Sequence, residues 1–224
     1  MGDVIVNLLL LIVGATVVPL YYIVVLFLLQ SKGGLLKAIA FMAGGITVRL
    51  VQGILFGLVF GAACEAYPEA SPRLIVSTLL LIVGLLLLVT AFQQWRKQVD
   101  PDAPPPQWMT AIRGLSALKA VGAGALSVTL AVKQWVFTLS AIGIIGEAGL
   151  GGAANVGLYL FYVLATQTLV LAPILAYAVA PQQSAKPLKA AQTWLERYNR
   201  AIMIVVSLIF GVWFLFKGIT GLIG

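Results

Sequence analysis

The chain has 224 residues, 61% of them hydrophobic and only 9% charged, where a soluble domain carries about 25% charge; lipid rather than water must be its solvent. The net charge of +7 does not indicate a nucleic-acid partner, because the basic residues cluster at the ends of apolar runs, the pattern of orientation signals and anionic-lipid contacts. A single cysteine, Cys64, and no histidine exclude an intrachain disulfide, thiol-pair chemistry and the usual metal ligand or neutral-pH proton relay.

Six segments reach the about 20 apolar residues that a spanning helix needs. The first runs from Val4 to Leu29 and holds Gly14, Thr16 and Pro19. Asp3 stands where a signal peptide would be basic, and the run exceeds a signal h-region of roughly 7–15 residues, so it reads as a retained helix. The second runs from Lys37 to Ala62 with Arg49 and Gln52 inside, and the third from Leu74 to Trp95. The fourth runs from Lys119 to Ile145 with Lys133 and Gln134 inside. The fifth runs from Gly152 to Val179 with Gln167 and Pro173, and the sixth from Ala201 to Ile223. The expected architecture is an all-α membrane protein of six transmembrane helices.

The connections differ in kind. Gln30 to Gly34 is a tight turn, Glu65 to Arg73 is short, acidic and Pro-broken, and Gly146 to Gly152 is very short. The longest link, Arg96 to Lys119, holds the non-helical Pro101 to Pro106. After it, Trp108, Ala111, Ile112, Leu115 and Leu118 recur at helical spacing, which predicts a helix lying in the interface. The stretch Pro187 to Arg200 predicts a second one, with Pro187 in its first turn and Leu188, Ala191, Trp194, Leu195 and Tyr198 on one face. The first, third and fifth loops and their flanks hold ten basic residues and the second and fourth only Arg73. The positive-inside rule then puts both termini outside, and Lys217 near the C-terminus snorkels.

The chain divides into a first three-helix half (1–95), a Pro-rich cytoplasmic loop (96–118) and a second half (119–224). Leu79 to Val89 in the third span resembles Val206 to Phe216 in the sixth, with Gly84 on Gly211. The same halving sets Gly14 onward beside Ala125 onward. Three helices per half means opposite insertion of the halves, so the pattern predicts a 3+3 inverted repeat, a transporter design.

Arg49 and Lys133 lie about 12 and 14 residues into their spans, near the bilayer midplane at roughly 1.5 Å rise per residue. No acid shares either centre. A charge there costs on the order of 2.5–3.5 kcal/mol on insertion scales and marks a wet cavity or substrate path. Arg49, with Gln52 at i+3, can fork onto a carboxylate, sulfate or phosphate. Lys133, with Thr129 at i−4, offers an ammonium to an anionic group, or loses its proton when desolvated. The plainer reading makes both structural cations bonded to helix carbonyls. Thr16 and Pro19 mark a break in the first helix that frees the carbonyl near Ala15 for a cation, water or side chain; a mere kink is the plainer reading. Gln167 is a neutral hydrogen-bonder, or helix–helix glue. Gly53, Gly57 and Gly61 form a small-residue face for close helix contact, within the chain or across a homodimer.

Six helices, Gly14-x4-Pro19, the basic Pro-rich central loop and the mid-helix Lys133 together resemble the lysine-exporter (LysE) superfamily. Within it, they resemble the GAP family of peptidoglycolipid- or sulfolipid-addressing proteins. The resemblance covers essentially the whole chain. It implies a bacterial inner-membrane protein that exports or delivers small solutes or envelope glycolipids. That family's fourth helix reads Asn-Pro-Lys where this chain reads Ala131, Val132, Lys133; the lysine is kept, but the proline that would kink the helix and the amide are not.

The expectation is a transporter of a small anionic or zwitterionic solute or envelope lipid. Its cargo passes between the halves past Arg49, Lys133, Gln52, Gln167, Thr16, Pro19 and Thr129, with membrane lipids as surroundings. The alternatives are a non-transporting scaffold for envelope lipid export, and a lipid scramblase. No intramembrane carboxylate, His or Cys pair lies in the spans, and no Walker-type loop is present. These absences exclude a metal exporter, an intramembrane hydrolase and a self-contained ATPase, so neither enzymatic activity nor a cofactor is expected.

Overall fold

The computed structural model describes residues 2–16, 19–66, 72–97, 111–112 and 114–223. Within these, the side chains at 3, 60, 62–66, 72–73, 75–76 and 132–133 lie outside the description. The acidic loop after the second span, the Pro101–Pro106 segment, Trp108 and Arg113 also fall outside it.

The described residues form helices joined by turns, as expected where backbone polar groups have no water to bond. In chain order they are α1 (Gly2–Thr16), α2 (Pro19–Leu29), α3 (Gly34–Ala66), α4 (Pro72–Arg96), α5 (Ala117–Leu130), α6 (Val132–Glu147), α7 (Gly152–Thr166), α8 (Thr168–Val179) and α9 (Pro181–Ile223). Three are long and apolar enough to cross a membrane. Three bent pairs raise the number to six if each is one span: α1–α2 at 56°, α5–α6 at 71° and α7–α8 at 56°.

Local sequence explains the ends. Pro19, Pro72 and Pro181 open helices, where the missing N–H costs nothing. Gly33 turns the chain between α2 and α3 at φ 69°, and Gly151 precedes α7 at φ 87°. Ser116 caps α5 by accepting from Lys119 N at 3.3 Å. Arg200 donates to the carbonyls of Gln94 and Trp95 at 2.8 and 2.7 Å, closing the C-terminal end of α4.

Several expectations need correction. The break predicted at Thr16–Pro19 falls there, but the fourth span also breaks, at Ala131, without a proline. The hydroxyls of Ser127 and Thr129 take the carbonyls of Gly124 and Ala125 at 2.7 and 2.9 Å. The Trp135 indole then takes the Thr129 carbonyl at 2.7 Å. Of these, only the indole bond takes a carbonyl in the last turn of α5; the hydroxyl bonds are ordinary back-bonds of the kind that Thr47, Thr78 and Thr90 make inside unbroken helices. The fifth span also breaks, at Gln167, while Pro173 lies inside α8; the Thr166 hydroxyl bonds Val163 O at 2.7 Å just before the bend. The predicted interfacial helix from Pro187 is the first half of the 43-residue α9, which runs unbroken through Pro187. The other interfacial helix does not extend through Leu115, which is non-helical.

Two buried apolar clusters pack the bundle. One gathers Leu8, Leu11, Leu80, Val83, Phe137, Tyr162 and Phe214; the other gathers Val25, Leu28, Leu29, Phe41, Ala120, Val170, Ile174 and Leu188. Glycines set the closest approaches. A Cβ on Gly124 would lie 1.9 Å from Phe41 O, and one on Gly44 2.0 Å from Val121 O, so α3 and α5 touch backbone to backbone. A Cβ on Gly84 would meet Gly211 O at 2.9 Å, joining α4 to α9 in the same way.

Candidate functional site

Between the two clusters lies a polar layer. Arg49, on α3, is 3% exposed. Its Nη2 donates to Gln134 Oε1 at 2.8 Å. Among the described residues its Nε and Nη1 have no hydrogen-bond partner, and neither does either polar atom of Gln52, one turn on. Among the described residues no carboxylate contacts this guanidinium. Tyr21, Tyr22, Tyr159 and Tyr162 lie within electrostatic reach of it. Tyr162 is near enough to feel the charge, although no well-aligned bond joins the two.

The helix breaks converge on this layer. Pro19 cannot supply an N–H to Ala15, and the Ala15 carbonyl instead accepts from Gln134 Nε2 at 3.3 Å. The Thr16 carbonyl accepts from the Tyr22 hydroxyl, and the Thr16 hydroxyl donates to Ile12 O at 2.5 Å. Tyr159 donates to the Arg49 carbonyl at 2.5 Å. Gln167 is 4% exposed at its own bend, with Oε1 unpartnered. The freed carbonyls of the first and fourth spans are thus held by side chains.

The space beside Arg49 is a void of about 10 Å³ lined by Ala15, Thr16, Tyr21, Tyr22, Arg49, Gln134, Thr166, Gln167 and Val170. That is room for about one water. Two larger clefts approach from opposite ends. One, about 430 Å³, runs past Gln93, Thr90, Met203 and Ser207 to Ala131 and Gln134; its mouth is near the link that follows α4. The other, about 590 Å³, runs past Glu147, Asn155, Gly61 and Gly57 to Gly53 and Tyr159; its mouth is at the α6–α7 turn. Both fall in the 300–1,000 Å³ range of ligand sites and are mostly apolar. Ile54 and Val156, which line the larger cleft, are 65% and 60% exposed, so it is open along its side.

The expected site residues fare differently. Arg49, Gln52, Gln167, Thr16 and Pro19 are all buried, and Arg49, Thr16 and Gln167 line one void. Thr129 is not with them. It is exposed and bonds within its own helix, because the 71° bend at Ala131 takes it off the face it would share with Lys133 on a straight helix. Lys133 is the second residue of α6; its side chain lies outside the description. Of the small-residue face, Gly53 meets the Tyr159 ring within the chain, while among the described residues nothing lies within 4 Å of a Cβ at Gly57 or Gly61, and all three line the larger cleft. Lys217 donates to Asn7 Oδ1 and lies 5.3 Å over the Trp213 ring.

Sequence reasoning passed over Gln134, Tyr159 and Tyr162. Their signal was position. Tyr159 and Tyr162 stand mid-span rather than at the interface where tyrosine anchors, and Gln134 adjoins a midplane lysine.

The family model described as "Sap, sulfolipid-1-addressing protein" matches residues 8–220. No curated protein and no solved structure matches the chain.

Proposed function

The chain belongs to the sulfolipid-1-addressing protein family, whose model spans nearly its whole length, and on that premise we propose that it is a membrane transporter that exports an anionic or zwitterionic solute or envelope lipid. The observation that carries this reading is Arg49: a buried guanidinium with two unpartnered nitrogens, between two clefts that open at opposite ends. A buried cation without a counter-ion is costly, and an oxyanion forking onto it relieves that cost. The sideways opening of the larger cleft lets an apolar tail stay in lipid while its head group reaches the polar layer. Lys133, one residue before Gln134, is the second cation of the same route.

We assign the protein to the bacterial inner membrane with both termini outside, on the positive-inside rule. We also propose a 3+3 inverted repeat of the LysE type. Its support is the meeting of Gly84 and Gly211, which the repeat aligns, and the break in both first spans of the halves. The scaffold reading draws on α9: its 43 residues extend about 65 Å, well beyond a hydrocarbon core of about 30 Å, and its first half carries Lys186, Lys189, Arg197 and Arg200.

Native mass spectrometry with lipidomics on gently purified protein tests the reading. Wild type is expected to retain a defined anionic lipid or metabolite that the Arg49→Ala, Lys133→Ala double variant loses. Retention of the same ligands by both makes the cations structural and moves the scaffold ahead.

A further inference from the structure

Gln134 occupies a place that its chemistry does not require. Its side-chain oxygen sits 2.8 Å from Arg49 Nη2, where an oxygen of a bound anion would sit. Its nitrogen holds the Ala15 carbonyl at the break between α1 and α2. Among the described residues it is also the one side chain that lines both the 10 Å³ void at Arg49 and the 430 Å³ cleft. The void is too small for any cargo group. Withdrawal of Gln134 joins the void to the cleft and frees a third guanidinium nitrogen. Ala131, which lines the same cleft, is the bend from which α6 carries Gln134.

We infer that Gln134 is an internal stand-in for the cargo's oxyanion: it competes with cargo for Arg49, and its displacement opens the 430 Å³ cleft onto the site. This rests on the anion reading of Arg49 given above. An amide oxygen is a weaker partner for a guanidinium than an oxyanion, so it holds the site closed when empty and yields when cargo arrives. The link to Ala15 ties that exchange to the break in the first span.

The test is equilibrium binding of radiolabelled octyl sulfate to the full-length chain in phosphatidylcholine nanodiscs. Arg49→Gln is expected to abolish binding. Gln134→Met keeps the side-chain length but removes the competing oxygen, and is expected to tighten binding about tenfold, the worth of one hydrogen bond to a charged group. Gln134→Glu supplies a permanent internal anion and is expected to weaken it at least tenfold. Unchanged or weaker binding by monodisperse Gln134→Met, with Arg49→Gln inactive, overturns the competition and leaves the anion site standing. Absent binding by wild type, or equal binding by Arg49→Gln, overturns the anion site itself. Should Gln134→Met not yield monodisperse protein, Gln134→Asn, which retracts the oxygen by one methylene, is judged by the same outcomes.

Discussion

Along α4 and α9 two long helices meet through Gly84, Gly211 and Gly218, with a backbone or side-chain atom within 3 Å of where each Cβ would stand. None of the buried side-chain atoms without a partner, among the described residues, belongs to either helix. The bent spans share such packing where α5 meets α3, but differ at their breaks. Their breaks sit beside Arg49, Gln134 and Gln167, and the unpartnered polar atoms are on these spans and on α3, which they surround. Close glycine packing makes a wall that has one arrangement. Half-satisfied polar groups at helix breaks make a region that has reasons to rearrange when a ligand completes them.

The largest effect is expected at the glycine contact between α5 and α3. Gly124→Leu drives its side chain into the Phe41 carbonyl, which cannot move without the helix; a cost above about 3 kcal/mol is expected, seen as loss of the monodisperse peak in size-exclusion chromatography. Gly122→Leu, two residues away with open space, is expected to leave that peak intact. Next is Arg49→Gln. It removes a buried charge that has no counter-ion among the described residues, so thermal stability is expected to hold or rise by about 1–3 kcal/mol while transport falls at least tenfold. A fall in both would make Arg49 part of the wall.

A moderate effect is expected from Gly57→Leu, which fills the larger cleft without touching the fold: transport several-fold lower, melting temperature unchanged. Tyr159→Phe removes the bond to the Arg49 carbonyl and is expected to cost about 1 kcal/mol in thermal unfolding. The smallest effect belongs to Thr129→Val, whose hydroxyl serves only its own helix; transport within twofold of wild type is expected. A large loss would return Thr129 to the site.

Much of this was legible in the residues. The apolar runs gave the spans, since a backbone in lipid has few conformations open to it. Pro19 announced its break because a missing N–H is a local fact, and the structure supplies the freed Ala15 carbonyl with the side-chain partner the break called for. Arg49 stood out because a midplane charge is costly wherever its helix packs. The break at Ala131 did not show, because no proline or glycine stands there and no single residue forbids a helix; the Trp135 indole that takes the Thr129 carbonyl reaches it from beyond the bend. Thr129 was misplaced for the same reason: helical phase carries a residue to a face only while the helix is straight.

The sequence by itself determined a membrane protein, its apolar spans, the break at Pro19 and the cation at Arg49, because each follows from backbone hydrogen bonding or charge desolvation within a few residues. It took the packed molecule to show that Gln134 meets Arg49 across 85 residues of chain, that Gly57 and Gly61 line a cleft, and that two clefts end at one polar layer. Those depend on how bent helices cross, and crossing is fixed by the packing of whole surfaces rather than by any segment's own pattern.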